Sequence, residues 1–232
     1  MKKCFSSLIL AFASITAAGL AHAEADINEL NREALIAIRG GNLVKVKDLL
    51  NQGASVNTRN RFGDSLLMTA IKSGSQDAVN TLITHQPDVN LANTSQVTPL
   101  MAAAYAGNVE TAKLLLERRA DPAATDRLHK TAMVYAAGAG HSAVVDLLLN
   151  AGADINARYQ NELTALMWAA GSGKLDTVRL LLDRGADPSL TDNRGKTALQ
   201  MALDNKHADV AQVLQTPAAN EGGNCAGRMT KC

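Results

Sequence analysis

The side chains able to do chemistry in this chain are few and scattered. Beyond the first segment the histidines are His85, His129, His141 and His207. A metal ion needs three or four ligands converging from matched spacings. His141 follows a glycine at the start of a helical stretch, His129 sits in a turn, His85 at a helix end and His207 late in the chain. They read as four unrelated positions, so no metal site is expected. The serines lack the G-x-S-x-G elbow of a hydrolase. Glu110, Asp146 and Asp176 stand near basic residues such as Lys113 and Arg179, which marks solvated helix faces rather than an acid–base pair. There is no Gly-rich phosphate loop and no c-type haem attachment sequence. Met68, Met101 and Met167 share one recurring position. Methionine sulfur can hold haem iron, but at repeated helical positions methionine is more often core filler. The chain is therefore expected to be no enzyme and to carry no cofactor. A haem or other small-molecule carrier, or an enzyme with an unrecognised site, is the alternative.

The cysteines left after the first segment are Cys225 and Cys232. They are candidates for a small disulfide loop in an oxidising compartment. So short a loop restrains little chain entropy and would act as a local staple. The spacing is not C-x-x-C and no histidine lies nearby.

The first segment, "MKKCFSSLILAFASITAAGLAHA", has Lys2 and Lys3, an apolar run from Phe5 to Leu20, then Ala21-His22-Ala23. That order is a secretory signal, with cleavage expected after Ala23. The run is too interrupted for a membrane anchor, so no membrane association is expected after cleavage. Removing Lys2 and Lys3 from 23 basic residues leaves 21, against 22 acidic ones. That balance argues against nucleic-acid binding. Aromatic residues make up only 3% of the chain, so any core consists of thin layers of alanine and leucine.

Those layers follow from a repeat. Ser65, Thr98, Thr131, Thr164 and Thr197 are 33 residues apart, and five residues after each stands Ala70, Ala103, Ala136, Ala169 or Ala202. Gly74, Gly107, Gly140 and Gly173 follow, with Lys206 in the last place. Then come Leu82-Ile83, Leu115-Leu116, Leu148-Leu149, Leu181-Leu182 and Leu214-Gln215. The threonine caps a helix, Pro99 fits its first turn, and the glycine ends it in the left-handed conformation. A second helix carries the leucines, and an Asx-rich finger such as that of Asp126 or Asp192 leads back to the next cap. One unit cannot bury its own apolar stripe, so units must stack. The end units are expected to show polar outer faces, with Arg32, Lys45 and Lys47 at the start and Lys206 and Gln215 at the finish.

The period, "TPL" at Thr98, the alanine, the glycine, the paired leucines and "GAD" at Gly152 and Gly185 resemble the ankyrin repeat family. The resemblance implies an all-α solenoid of about six helix-turn-helix units with finger loops, near 28–60, 61–93, 94–126, 127–159, 160–192 and 193–216. The repeat domain spans 24–216 and a flexible tail 217–232. Two departures stand out. The family's histidine after T-P-L is replaced by Met68, Met101, Val134, Met167 and Gln200. The finger glycine survives at Gly63 and Gly195 but becomes Gln96, His129 and Glu162, which predicts strain there.

The resemblance implies a binding module, monomeric, whose partner is another protein held on a concave face of fingers and first helices. Tyr135 and Trp168 each have small residues three and four positions on, which share their helix face. They are candidates for partner contact or for packing between helices. Tyr105 extends the strip. Phe62, Val97, Leu128 and Leu163 are candidate apolar finger residues, rimmed by Arg61, Asp64, Arg127, Lys130 and Arg194. With the secretory segment, the plan is similar to secreted ankyrin proteins of Gram-negative bacteria. It implies a periplasmic role, in catalase-associated peroxide defence or in protection from exported toxins.

Overall fold

The structure is a computed structural model that describes residues 17–215, with side chains from Asp26 onward. The beginning of the secretory segment, the proposed tail, and Cys225 and Cys232 lie outside the described residues. The helices run in pairs: α1 (Ala17–Arg39) with α2 (Leu43–Asn51), α3 (Leu66–Lys72) with α4 (Gln76–Ile83), and α5 (Pro99–Ala106) with α6 (Val109–Glu117). Next come α7 (Ala132–Ala139) with α8 (Ser142–Asn150), α9 (Ala165–Gly171) with α10 (Leu175–Asp183), and α11 (Ala198–Asp204) with α12 (Ala208–Gln215). Among the described residues there is no β-strand; isolated bridges Arg59–Ser65 and Thr191–Thr197 pinch two of the fingers.

The first helix of each pair packs on the first helix of the next, from α1 to α11, and the second helices make a parallel row behind them. This is an all-α solenoid. The inner row is short and apolar nearly all round because each of its helices is covered on several sides. Ala70, Ala103, Ala136, Ala169 and Ala202 are all completely buried, at the closest approach between layers. In the outer row the paired leucines divide: Leu82, Leu115, Leu148 and Leu181 are core, while Leu116, Leu149 and Leu182 are half-buried at its edge.

Capping follows the repeat. Ser65, Thr98, Thr164 and Thr197 each accept from the amide three residues on. Thr131 makes no such bond. Gly107 ends α5 at φ 70°. Successive turns are also stitched sideways: Asn31, Asn57, Asn90 and Asn156 accept from the amides of Ser55, Asp88, Asp121 and Asp187 in the next layer. Ala123 stands in this series and supplies no rung between the turns that follow the third and fourth pairs.

The expected polar outer face of the first pair holds only in part. Ile27, Ile36 and Val44 are exposed there, and Leu203 is exposed at the other end of the stack.

Candidate partner-binding groove

Four of the five fingers are each shaped by one side chain. Asn60, Asn93, Asp126 and Asp192 each turn an Oδ1 onto two backbone amides of their own finger, at 2.8–3.1 Å. In the fourth finger the equivalent residue is Tyr159, which has no such acceptor. That finger closes instead as a single 3-10 turn, Gln160–Glu162, with both Asn161 and Glu162 at positive φ. The expected strain is present: Gln96, His129 and Glu162 sit at φ 62°, 54° and 63°, where Gly63 and Gly195 sit at 76° and 77°. Finger tips are tied by backbone bonds from Thr94 to Phe62, from Arg127 to Ser95 and from Asn193 to Asn161. Among the described residues no such bond joins the third finger to the fourth.

The four apolar finger residues fall into two positions. Phe62 and Leu128 stand at tips, 55% and 54% exposed. Val97 and Leu163 directly precede the capping threonines and are half-buried against the core. Their equivalents in the other units are Asp64, Lys130 and Lys196.

Asp64 does not belong to an exposed rim. It is buried, accepting from Lys72 Nζ at 2.7 and 2.8 Å and from Asn93 Nδ2 at 2.9 Å. Burial alone would push its carboxyl up; the hydrogen bonds from Lys72 and Asn93 outweigh that and hold it below the ordinary value. Asp192 is likewise lowered, burial being overcome by the amides of its finger and by Arg194. Arg61, Arg127 and Arg194 are exposed.

Tyr135 and Trp168 are both half-buried and share one repeat position, four residues after their caps. Tyr135 donates its hydroxyl to Asp126 Oδ2 at 2.7 Å. Burial, then that bond and the carboxylate charge, push the phenol up to about 12. Tyr105 lies three residues further along its helix than this position, is 65% exposed, and meets Tyr135 edge to face with centroids 6.0 Å apart. Lys130 Nζ lies over the Trp168 ring at 4.6 Å and over Tyr135 at 5.9 Å. Packing and exposure therefore coexist in both aromatics.

The Tyr105 position is occupied elsewhere by Lys72, Gly138, Gly171 and Asp204. The two glycines open the inner face on either side of Trp168. One hollow of about 520 Å³ lies among Tyr105, Lys130, Tyr135, Gly138, His141 and Trp168. The other, of about 290 Å³, lies among Leu163, Trp168, Gly171, Arg194, Lys196 and Met201. Together they form a groove. Gly138 and Gly171 are the small residues that share the helix faces of Tyr135 and Trp168; Lys196 and Met201 escaped the sequence reading.

One further reading changes. His141 and His207 are not unrelated: they stand two periods apart and lie across Gly107 and Gly173, the helix-ending glycines of the preceding units. His141 Nε2 is 2.9 Å from the Tyr105 carbonyl oxygen. The recurring methionines are core, with Met68, Met101 and Met167 at most 1% exposed. Met101 Sδ accepts from the Thr98 amide at 3.4 Å, closing the capping box where the family has histidine. Among the described residues no group of three or more His, Cys, Asp or Glu side chains is placed to hold a metal, and no helix is long and apolar enough to cross a membrane.

The family model described as "Ankyrin repeats (3 copies)" matches residues 17–93, 34–126, 86–159 and 133–222 in overlapping registers. None of the curated proteins matches the chain. A helical stack with this period, these caps and this match over most of its length belongs to the ankyrin repeat family.

Proposed function

We propose that this protein is an exported scaffold that binds a partner protein along the groove on either side of Trp168. Ankyrin repeats are generally non-enzymatic modules of protein–protein interaction. The observation that carries the reading is the groove itself. Three aromatic rings, Tyr105 exposed and Tyr135 and Trp168 half-buried, stand around hollows left by Gly138 and Gly171, with cationic side chains at the margin. Interfaces draw their affinity from such aromatic anchors inside a polar rim. Phe62 and Leu128 extend the contact surface at the finger tips.

The periplasmic setting is supported by the order of Lys2-Lys3, the apolar run and Ala21-His22-Ala23. Among the described side chains of α1 the buried ones are Ala34, Ala37 and Ile38, all downstream of Ala23. Peroxide defence beside a catalase and protection from an exported toxin are both binding roles, and both would use this face.

Capture from a periplasmic extract tests the proposal. The intact protein should retain a discrete partner, and Trp168→Ala and Leu128→Asp should lose it while keeping the helical circular dichroism of the parent. Equal retention by both variants would move the site elsewhere.

A further inference from the structure

Two glycines in the groove are not explained by the fold. Gly138 and Gly171 lie near the ends of α7 and α9 with ordinary helical backbones. A Cβ on Gly138 would meet only Trp168 Cε3 at 3.9 Å, and one on Gly171 would meet Asn205 Nδ2 at 3.6 Å and Met201 Cβ at 3.9 Å. These are normal contacts, so alanine fits at both places. Glycine is the poorer helix former. What the glycines supply is the open space above them, on either side of Trp168.

Among the described residues, the side-chain charge around that space that is left without an ion pair and open to solvent is positive. Lys130 spreads over Trp168 and makes no ion pair among the described residues. Arg194 and Lys196 border the second hollow and are already paired, Arg194 with Asp192 at 2.8 Å and Lys196 with Asp204. The carboxylate of Lys130's own finger, Asp126, is 4% exposed and is turned onto its finger amides and the Tyr135 hydroxyl. Arg61 and Arg127 add two exposed cations at the tips. An ammonium lying on an aromatic face keeps its N–H donors free for a carboxylate.

We propose that the occupant of this groove is an acidic, extended segment of the partner protein that places two apolar side chains, three residues apart, into the hollows above Gly138 and Gly171. This rests on the protein-binding reading of the same groove. The spacing follows from geometry: packed helices stand about 8–10 Å apart, and residues three apart on one face of a polyproline-type strand are separated by about 9 Å. The chain's own ends do not fit, since residues 216–232 carry Glu221 against Arg228 and Lys231, and the other end has Lys2 and Lys3. A second copy would bring like charge to like charge. Nucleic acid is disfavoured because tight binding uses about six to ten phosphate contacts, and this groove offers few cations around an apolar floor.

Trp168 is the only tryptophan, so its fluorescence reports occupancy of both hollows. The full chain is titrated with four probes: a twelve-residue peptide with Leu-x-x-Leu flanked by Asp and Glu, the same peptide with lysines for the acids, the acidic peptide with serines for both leucines, and a single-stranded oligonucleotide. The acidic leucine peptide should bind at least tenfold tighter than each of the others, more weakly as salt rises. Lys130→Gln and Gly171→Leu should each weaken it at least tenfold. Gly171→Ala should weaken it without lowering the melting temperature, which separates a filled hollow from misfolding. Lys113→Gln, on the outer row, should bind like the parent. Equal binding of the lysine or serine peptide, or tighter binding of the oligonucleotide, overturns the proposal. If the acidic peptide fails while Trp168→Ala still loses the extract partner, the charge rule falls and the groove remains a protein site. If neither responds, both readings fall.

Discussion

The His141 ring lies across Gly107 of the preceding repeat, so close that a Cβ on that glycine would sit 2.5 Å from His141 Nδ1. Its Nε2 meanwhile engages the Tyr105 carbonyl at 2.9 Å. His141→Ala should cost about 1 kcal/mol, the net worth of one hydrogen bond. Gly107→Ala should cost more, since the left-handed backbone alone is unfavourable by about 1–2 kcal/mol for a residue with a Cβ. Urea denaturation of both variants checks the order; an equal or larger loss for His141→Ala would mean the glycine is not constrained by its neighbour.

Gln96 and His129 occupy finger positions at φ 62° and 54°. Gln96→Gly and His129→Gly should therefore raise stability by about 0.5–1 kcal/mol each, the relief of backbone strain less the added freedom of the unfolded chain. Glu162→Gly should gain less, because Glu162 also pairs with Arg158 at 3.2 Å. Thermal melts would show the gain directly, and a fall at Gln96 would contradict it.

Leu148 and Ala136 are both completely buried in the middle of the stack. Leu148→Ala should cost about 2–5 kcal/mol through the cavity left behind. Ala136→Leu should cost about 1–3 kcal/mol through overpacking between α7 and its neighbours. A neutral Ala136→Leu in chemical denaturation would place that alanine away from a close helix contact.

Tyr135 titrates above its ordinary value of 10.0, near about 12, because burial and Asp126 disfavour its phenolate. A raised pKa in the folded state gives stability that is complete below pH 10 and is lost as pH climbs from 10 towards 12. Tyr135→Phe should remove that part of the alkaline loss. At neutral pH it should cost about 1 kcal/mol for the bond to Asp126. Phenolate absorbance of parent and variant gives the titration; a Tyr135 signal near the ordinary value would refute the assignment.

Much of the fold is legible from spacing alone. The period of 33 residues, the capping threonines and the buried alanines lie within one unit and repeat in one register. The strain at Gln96 and His129 was legible for the same reason, since a glycine is simply missing from its column. The groove was less so. That Lys130 covers Trp168, that His141 covers Gly107, and that Tyr105 leans on Tyr135 are contacts between neighbouring units. Linear periodicity says which residues are equivalent, not how far a side chain reaches across a layer. Asp64 shows the limit: its type suggested an exposed rim, while Lys72 and Asn93 supply the partners that make its burial tolerable.

The same two columns that carry Asp64 and Lys72 in the second unit carry Lys196 and Asp204 in the sixth, again as an ion pair but with the signs exchanged. A molecule stretched along the inner surface therefore encounters a carboxylate on the finger side at one extremity and an ammonium there at the other. The surface has a head and a tail, and a bound strand reversed end for end would meet a different electrostatic landscape.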